Sequence, residues 1–247
     1  MSTKDRRQRE MAHREHLFLK AAREVIQQQG LLNLQMSKVA ERCDYAVGTL
    51  YQHFQSKEDL LVALAGDEIQ ERVQAFQRVR AWKAPTRDRM LGFAVADMVL
   101  AQRFPELFRL QQFAFTEVIW DAAPLSRRQA SMAAYAPLRE SCEAVVDEAE
   151  ACGDLDLRGL NKSQVCLAPW SLVVGMHAIV HNEGVADRST SQEPYRLLLR
   201  HCSALLNGLG WRPLCDETDH AALDRLALTV CEEVLHEKWL PCLACRC

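Results

Sequence analysis

No stretch of this chain alternates apolar and polar residues with a period of two, so β-strands have no clear claim on it and the expected fold is all-α. No apolar run of membrane-spanning length stands out, and the basic opening, MSTKDRRQREMAHREH, is not followed by an apolar core. Neither a membrane anchor nor a secretory signal is therefore expected, which points to the cytoplasm. Catalytic signatures are missing as well. There is no G-x-S-x-G and no glycine-rich phosphate loop, and HAIVH at 177–181 lacks the glutamate that a zinc hydrolase carries in HExxH. Nothing here points to an enzyme, and no cofactor is expected.

What is present is unevenly distributed. A chain of 247 residues suits one small unit plus one larger helical domain. Residues 1–57 hold ten Lys and Arg against six Asp and Glu, a net +4, which leaves −7 for residues 58–247 of a chain whose total is −3. The basic end is the end a polyanion would choose, although a surplus of this size is modest. Ten cysteines scattered through helical segments of a chain with no export signal read as reduced thiols rather than as a disulfide framework.

The stretch that organises the sequence is Met36 to Leu61, MSKVAERCDYAVGTLYQHFQSKEDLL. Val39 and Ala40, then Leu50 and Phe54, set apolar side chains at helical spacing on two short segments separated only by Asp44-Tyr45-Ala46, the pattern of a helix-turn-helix. Leu50 and Phe54 point the second segment inward. Gly48, Thr49, Gln52 and His53 are left on the outer face with Tyr51 at its margin, a surface suited to a DNA groove. Upstream, HLFLKAA through Gly30 reads as an amphipathic helix ended by glycine; downstream, Ser56 is a plausible cap for a helix whose first turn holds Glu58 and Asp59.

With these residues in hand, the first quarter of the chain resembles the TetR family of bacterial transcriptional regulators, whose pattern is an alanine-rich helix, glycine, helix, turn, G-T-L-Y-x-H-F and S-K-E-x-L. Asp44-Tyr45-Ala46 replaces the family's usual turn, Ala46 stands where a capping serine is usual, and Val47 offers methyl groups where Lys or Gln is common. The Asp44 carboxylate is one substitute acceptor for the amides that Ala46 cannot cap. The resemblance implies a homodimer on a near-palindromic operator, contacts to double-stranded DNA from Val47, Gly48, Thr49, Tyr51, Gln52, His53 and Lys57, and repression relieved by a small hydrophobic or amphipathic inducer.

The expected layout is a basic arm at 1–13, which is either a loose tail or a strand along DNA; a helix-turn-helix domain at 14–57; and one long connecting helix at 58–82. A ligand-binding and dimerisation domain follows at 83–210, with a C-terminal helical extension at 211–247. Helices are expected at Arg87–Arg103, Pro105–Trp120, Leu125–Cys152 with Pro137 inside, Asn161–Asn182 and Pro194–Leu209, with a polar loop at Gly184–Glu193. Phe93, Phe108, Phe113, Trp120, Trp170 and His177 are candidates for the apolar ligand cavity the resemblance implies. Taken singly, each of these aromatics is ordinary core. The helices at 161–182 and 194–209 are the expected dimer face.

Two rival readings remain. His177 and His181, four apart on one helix face with Glu183 nearby, could bind a metal, though two histidines lining a pocket or an interface is the simpler reading. The chain ends Cys242-Leu243-Ala244-Cys245-Arg246-Cys247, three thiols that are weak candidates for a soft metal or a redox pair and would make the protein a thiol- or metal-responsive regulator. A helical enzyme is the remaining alternative, with no catalytic constellation to support it.

Overall fold

The computed structural model describes residues 3–181, 193–216 and 218–239. Among these there is no strand, and the chain is all-α. The elements are α1 (Thr3–Gln29), a 3-10 turn (Leu31–Asn33), α2 (Met36–Arg42), α3 (Val47–Tyr51), α4 (Lys57–Asp67), α5 (Ile69–Ala81), α6 (Thr86–Arg103) and α7 (Pro105–Ala114). They are followed by α8 (Glu117–Ala122), α9 (Leu125–Cys152), α10 (Lys162–His181), α11 (Pro194–Gly208), α12 (His220–Thr229) and a π-helical turn (Val230–Leu235). The chain folds into two compact units, each built from two separate stretches: 1–70 with 106–135, and 71–105 with 136–247. Residues 106–135, expected in the ligand domain, thus complete the first unit.

The first unit has its own core. Phe18, Ala22, Val25 and Ile26 of α1 pack with Val39 and Ala40 of α2, Leu50, Phe54, and the Leu60–Ala65 run of α4, and Leu110, Ala114 and Ile119 close it. Several elements differ from the sequence reading. Helix α1 begins at Thr3, so the basic arm is not a loose tail; its exposed turns simply continue the helix, with Arg6 paired to Glu10 at 3.0 Å. The long connecting helix is two helices, broken at Glu68 just past Gly66, where Arg23 of α1 pairs with both Asp67 and Glu68. The expected helix at 105–120 is also divided: the Thr116 hydroxyl donates to the Phe113 carbonyl at 2.7 Å, and a new helix starts at Glu117.

The second unit is organised on α6. From Met90 to Val99 every residue of that helix is buried, and such a helix, apolar almost all round, must be covered by neighbours on several sides. Helices α10, α11 and α12 and the π turn supply them. The α10 start is well capped: Asn161 Oδ1 accepts from the Gln164 N–H and Gln164 Oε1 from the Asn161 N–H, both at 2.9 Å. The C-terminal extension is no appendage. Asp219 caps α12 through the Ala222 N–H at 2.9 Å, and Leu223, Ala227, Val230, Cys231, Val234 and Leu235 belong to the core.

A polar seam fixes that extension in place. The fully buried Arg87 guanidinium donates to the carbonyls of Trp211 and Ser203, each at 2.9 Å, and to the Ser203 hydroxyl at 3.1 Å. The Trp211 indole N–H donates to Thr86 Oγ1 at 3.0 Å, and the Thr86 hydroxyl donates to Asp154 at 2.6 Å. A cation this deep is tolerated because charged hydrogen bonds replace its lost hydration. Residues 240–247, with Cys242, Cys245 and Cys247, lie outside the described residues, as does the Gly184–Gln192 part of the expected loop.

Candidate nucleic-acid interface

The turn between α2 and α3 works because Asp44 adopts the left-handed conformation, φ 57°, which glycine would enter more freely. The Tyr45 N–H returns to the Ala40 carbonyl at 3.0 Å and closes the reversal. Ala46 occupies the N-cap of α3, and no side-chain hydrogen bond caps that helix, so the substitute acceptor expected of Asp44 is not used. Helix α2 is likewise uncapped by a side chain at Gln35. Position is instead enforced by burial. Leu50 and Phe54 are fully enclosed, and the Phe54 N–H bonds to the Leu50 carbonyl at 3.0 Å.

That anchoring leaves an outward face. Val47 is 37 % exposed and Tyr51 51 %, with Gly48 and Gln52 exposed beside them and Thr49 and Lys57 half-buried. His53 departs from the outward placement expected of it. Its ring lies edge-on to Phe18 at 5.3 Å, its Nδ1 is buried with no hydrogen-bond partner, and burial pulls its pKa below the ordinary value. It is a packing residue that holds α1 against the end of the recognition segment. The Ser56 hydroxyl caps α4 as expected, accepting from the Asp59 N–H at 3.2 Å.

The six candidate ligand residues do not gather in one unit. Phe108, Phe113 and Trp120 are in the first, where Phe113 and Trp120 flank its core; Phe93, Trp170 and His177 are in the second. Phe93 is stacked at a tilt on Phe76, centroids 4.9 Å apart, while Trp170 is 53 % exposed on α10. His177 is 1 % exposed. Its Nδ1 is 3.5 Å from the Tyr195 hydroxyl, which also reaches His181 Nε2 at 3.4 Å, and the two imidazoles stack at 6.0 Å. Burial first, then the charges of Arg72 and His181, lower the His177 pKa to about 3.

Arg127 makes long-range contacts beside this segment that sequence reasoning did not single out. From the first turn of α9 it bonds Asp59 and Glu15, 68 and 112 residues away, a pairing for which the sequence carries no local signal.

Five of the described cysteines are poor sensors. Burial raises the thiol pKa of Cys43 and Cys142 and pushes Cys166, Cys202 and Cys231 to about 12, leaving too little thiolate for attack or ligation.

Residues 18–64, the helix-turn-helix with its flanking helices, match the sequence pattern of the bacterial regulatory proteins of the tetR family. Over that segment the chain is similar to TetR-family regulators. It is 43 % identical over 83 residues to the HTH-type transcriptional repressor KstR of Mycolicibacterium smegmatis, a match covering 33 % of this chain and 40 % of that one. It is 31 % identical over 73 residues to the fatty acid metabolism regulator protein of Bacillus subtilis, covering 30 % and 38 %. The chain thus spans about two fifths of the length of the curated relatives it matches.

Solved TetR-type folds extend the likeness to the larger domain. The regulator FadR from Bacillus subtilis, solved with stearoyl-CoA, superposes with a TM-score of 0.57 at 19 % identity over 78 % of this chain and 96 % of its own. RolR, solved with resorcinol, gives 0.58 at 13 % over 89 % and 95 %. At those identities the likeness concerns the fold. It fits an N-terminal helix-turn-helix followed by a helical C-terminal domain.

Proposed function

We propose that this chain is a TetR-like DNA-binding transcriptional regulator, a cytoplasmic homodimer that represses from a near-palindromic operator until a small hydrophobic or amphipathic ligand binds. The observation that carries the reading is the α3 face. Leu50 and Phe54 are sunk in the core so that Thr49, Tyr51 and Gln52 stand outward on a rigid base, with Lys57 at the start of α4 in reach of a phosphate. Selection of duplexes from a random-sequence pool tests it directly. The expected product is a two-fold symmetric site with half-sites about one helical turn apart; recovery of no preferred sequence would sink the proposal.

The dimer reading is supported by α10. An 18-residue window of it is apolar enough to pass for a membrane span by length and composition, which corrects the expectation that no such run exists. Yet only 28 % of the apolar window is buried in its own chain, and Leu167, Trp170 and Ile179 stand exposed. A Cβ added at Gly175 would meet nothing within 4 Å. A helix packed on one side and bare on an apolar other side fits a second copy. Gly175→Arg should then yield a folded monomer, read by light scattering; a variant that stays dimeric refutes the assignment.

The ligand reading draws on the relatives. The FadR and RolR structures hold stearoyl-CoA and resorcinol respectively, and in this chain Phe93 lies in an apolar helical core. For the buried thiols of Cys202 and Cys231, the upward pKa shifts speak against the thiol- or metal-responsive alternative.

A further inference from the structure

Arg127 makes contacts that neither packing nor solubility requires. Its Nε donates to Asp59 Oδ1 at 2.8 Å, its Nη1 donates to Glu15 Oε1 at 2.8 Å, and the guanidinium carbon lies 5.3 Å from the centre of the Phe54 ring. Each partner has a place in the DNA-reading machinery. Phe54 closes the recognition segment, and its ring is fully buried. Asp59, 3 % exposed, also accepts the Gln55 N–H at 2.9 Å, so it fixes the link between that segment and α4. Glu15 stands on α1, three residues before the Phe18 ring that touches both Tyr45 and His53.

One planar group thus joins α1, the recognition segment and α4. The chemistry selects arginine. Two carboxylates and an aromatic face are served at once by a flat fork of donors, where an ammonium would satisfy them only in part. Burial works against the charge, but the hydrogen bonds to Glu15 and Asp59 outweigh it and hold Arg127 protonated above its ordinary pKa. The helix that carries Arg127 belongs to the first unit up to Tyr135 and to the second from Ala136.

We propose that Arg127 is a positioning residue for DNA reading: it sets the angle at which Val47–Gln52 is presented. This rests on the DNA-binding reading above. Phosphate contacts belong to other residues, so losing Arg127 should spare sequence-independent binding and harm only the selected site.

The test uses the full chain, wild type beside Arg127→Met, Arg127→Lys and Glu15→Gln. Each is titrated with the duplex that the wild type selects and with a shuffled duplex, over a range of salt, and each is melted by circular dichroism. Arg127→Met should lose affinity for the selected duplex by about tenfold or more, the scale of an ordinary coupling between sites. Shuffled-duplex affinity and salt slope should stay put, with Arg127→Lys and Glu15→Gln intermediate. A merely structural arginine would lower the melting temperature and leave the ratio of selected to shuffled affinity unchanged, and that result in all three variants overturns the proposal. Should Arg127→Met not fold, an unchanged ratio in the other two is enough to overturn it. A wild type that selects no duplex brings down the DNA-binding reading and this one together; a selected duplex held equally by every variant brings down this one alone.

Discussion

Lowering the pH from 7 to 5 should destabilise the second unit by about 2 kcal/mol through His177 alone. The imidazole is held neutral by burial, by the neighbouring Arg72 charge and by His181, which moves its pKa from 6.5 to about 3. Between those two values the unfolded chain binds a proton there and the folded chain does not, so stability is complete above about pH 6.5 and falls with acid at roughly 1.4 kcal/mol per pH unit. The full depression is worth roughly 4 to 5 kcal/mol, most of it below pH 5. Urea unfolding at pH 7 and pH 5 on wild type and His177→Gln separates this group from every other titration, since the carboxylates contribute equally to both proteins. Whatever its starting stability, the variant's loss between the two pH values should be smaller by about 2 kcal/mol. Equal losses in the two proteins would show that His177 is not held neutral, and the argument from burial would be wrong.

Asp44→Gly should raise the melting temperature without changing the DNA sequence preference, because it relieves a left-handed residue worth about 1 kcal/mol; a fall in stability would contradict the strain argument. Tyr51→Ala and Lys57→Ala should weaken binding to all duplexes, whereas Thr49→Ala should chiefly relax base preference, as a panel of single-base variants of the selected duplex would reveal. Trp211→Phe removes the indole donor to Thr86 while keeping a large ring, and should cost about 1 to 2 kcal/mol in denaturant unfolding; no change would mean that Thr86 is satisfied without it.

Local signals served the sequence reading well. The helix-turn-helix depends on neighbours three to ten residues apart, so Leu50 and Phe54 could be placed inside, and Tyr51 and Gln52 outside, from spacing alone. Helix α9 was legible from Leu125 to Cys152 because nothing but Pro137 interrupts it. His53 was misplaced because its partner, Phe18, comes from α1 across the turn, beyond the reach of periodicity. The break at Glu68 follows from Arg23 drawing on Asp67 and Glu68, and the reassignment of residues 106–135 follows from Leu110, Ala114 and Ile119 finding their core among α1 to α4. Ligand candidates chosen for being aromatic fell into two different units for the same reason: composition says that a ring is buried, not with whom.

The Arg87 seam has a consequence for the way the protein is made. Ser203 and Trp211, which receive the guanidinium, are 116 and 124 residues further along the chain. At ordinary synthesis speeds the second of those partners emerges roughly 6 to 25 seconds after Arg87 itself. Throughout that interval the apolar surface of α6 and a cation without its acceptors are on the ribosome with no completed unit to enter. The nascent chain is therefore at its most aggregation-prone in the middle of translation, and a stop codon placed anywhere before Trp211 should give a chain that chaperones retain rather than a shortened regulator.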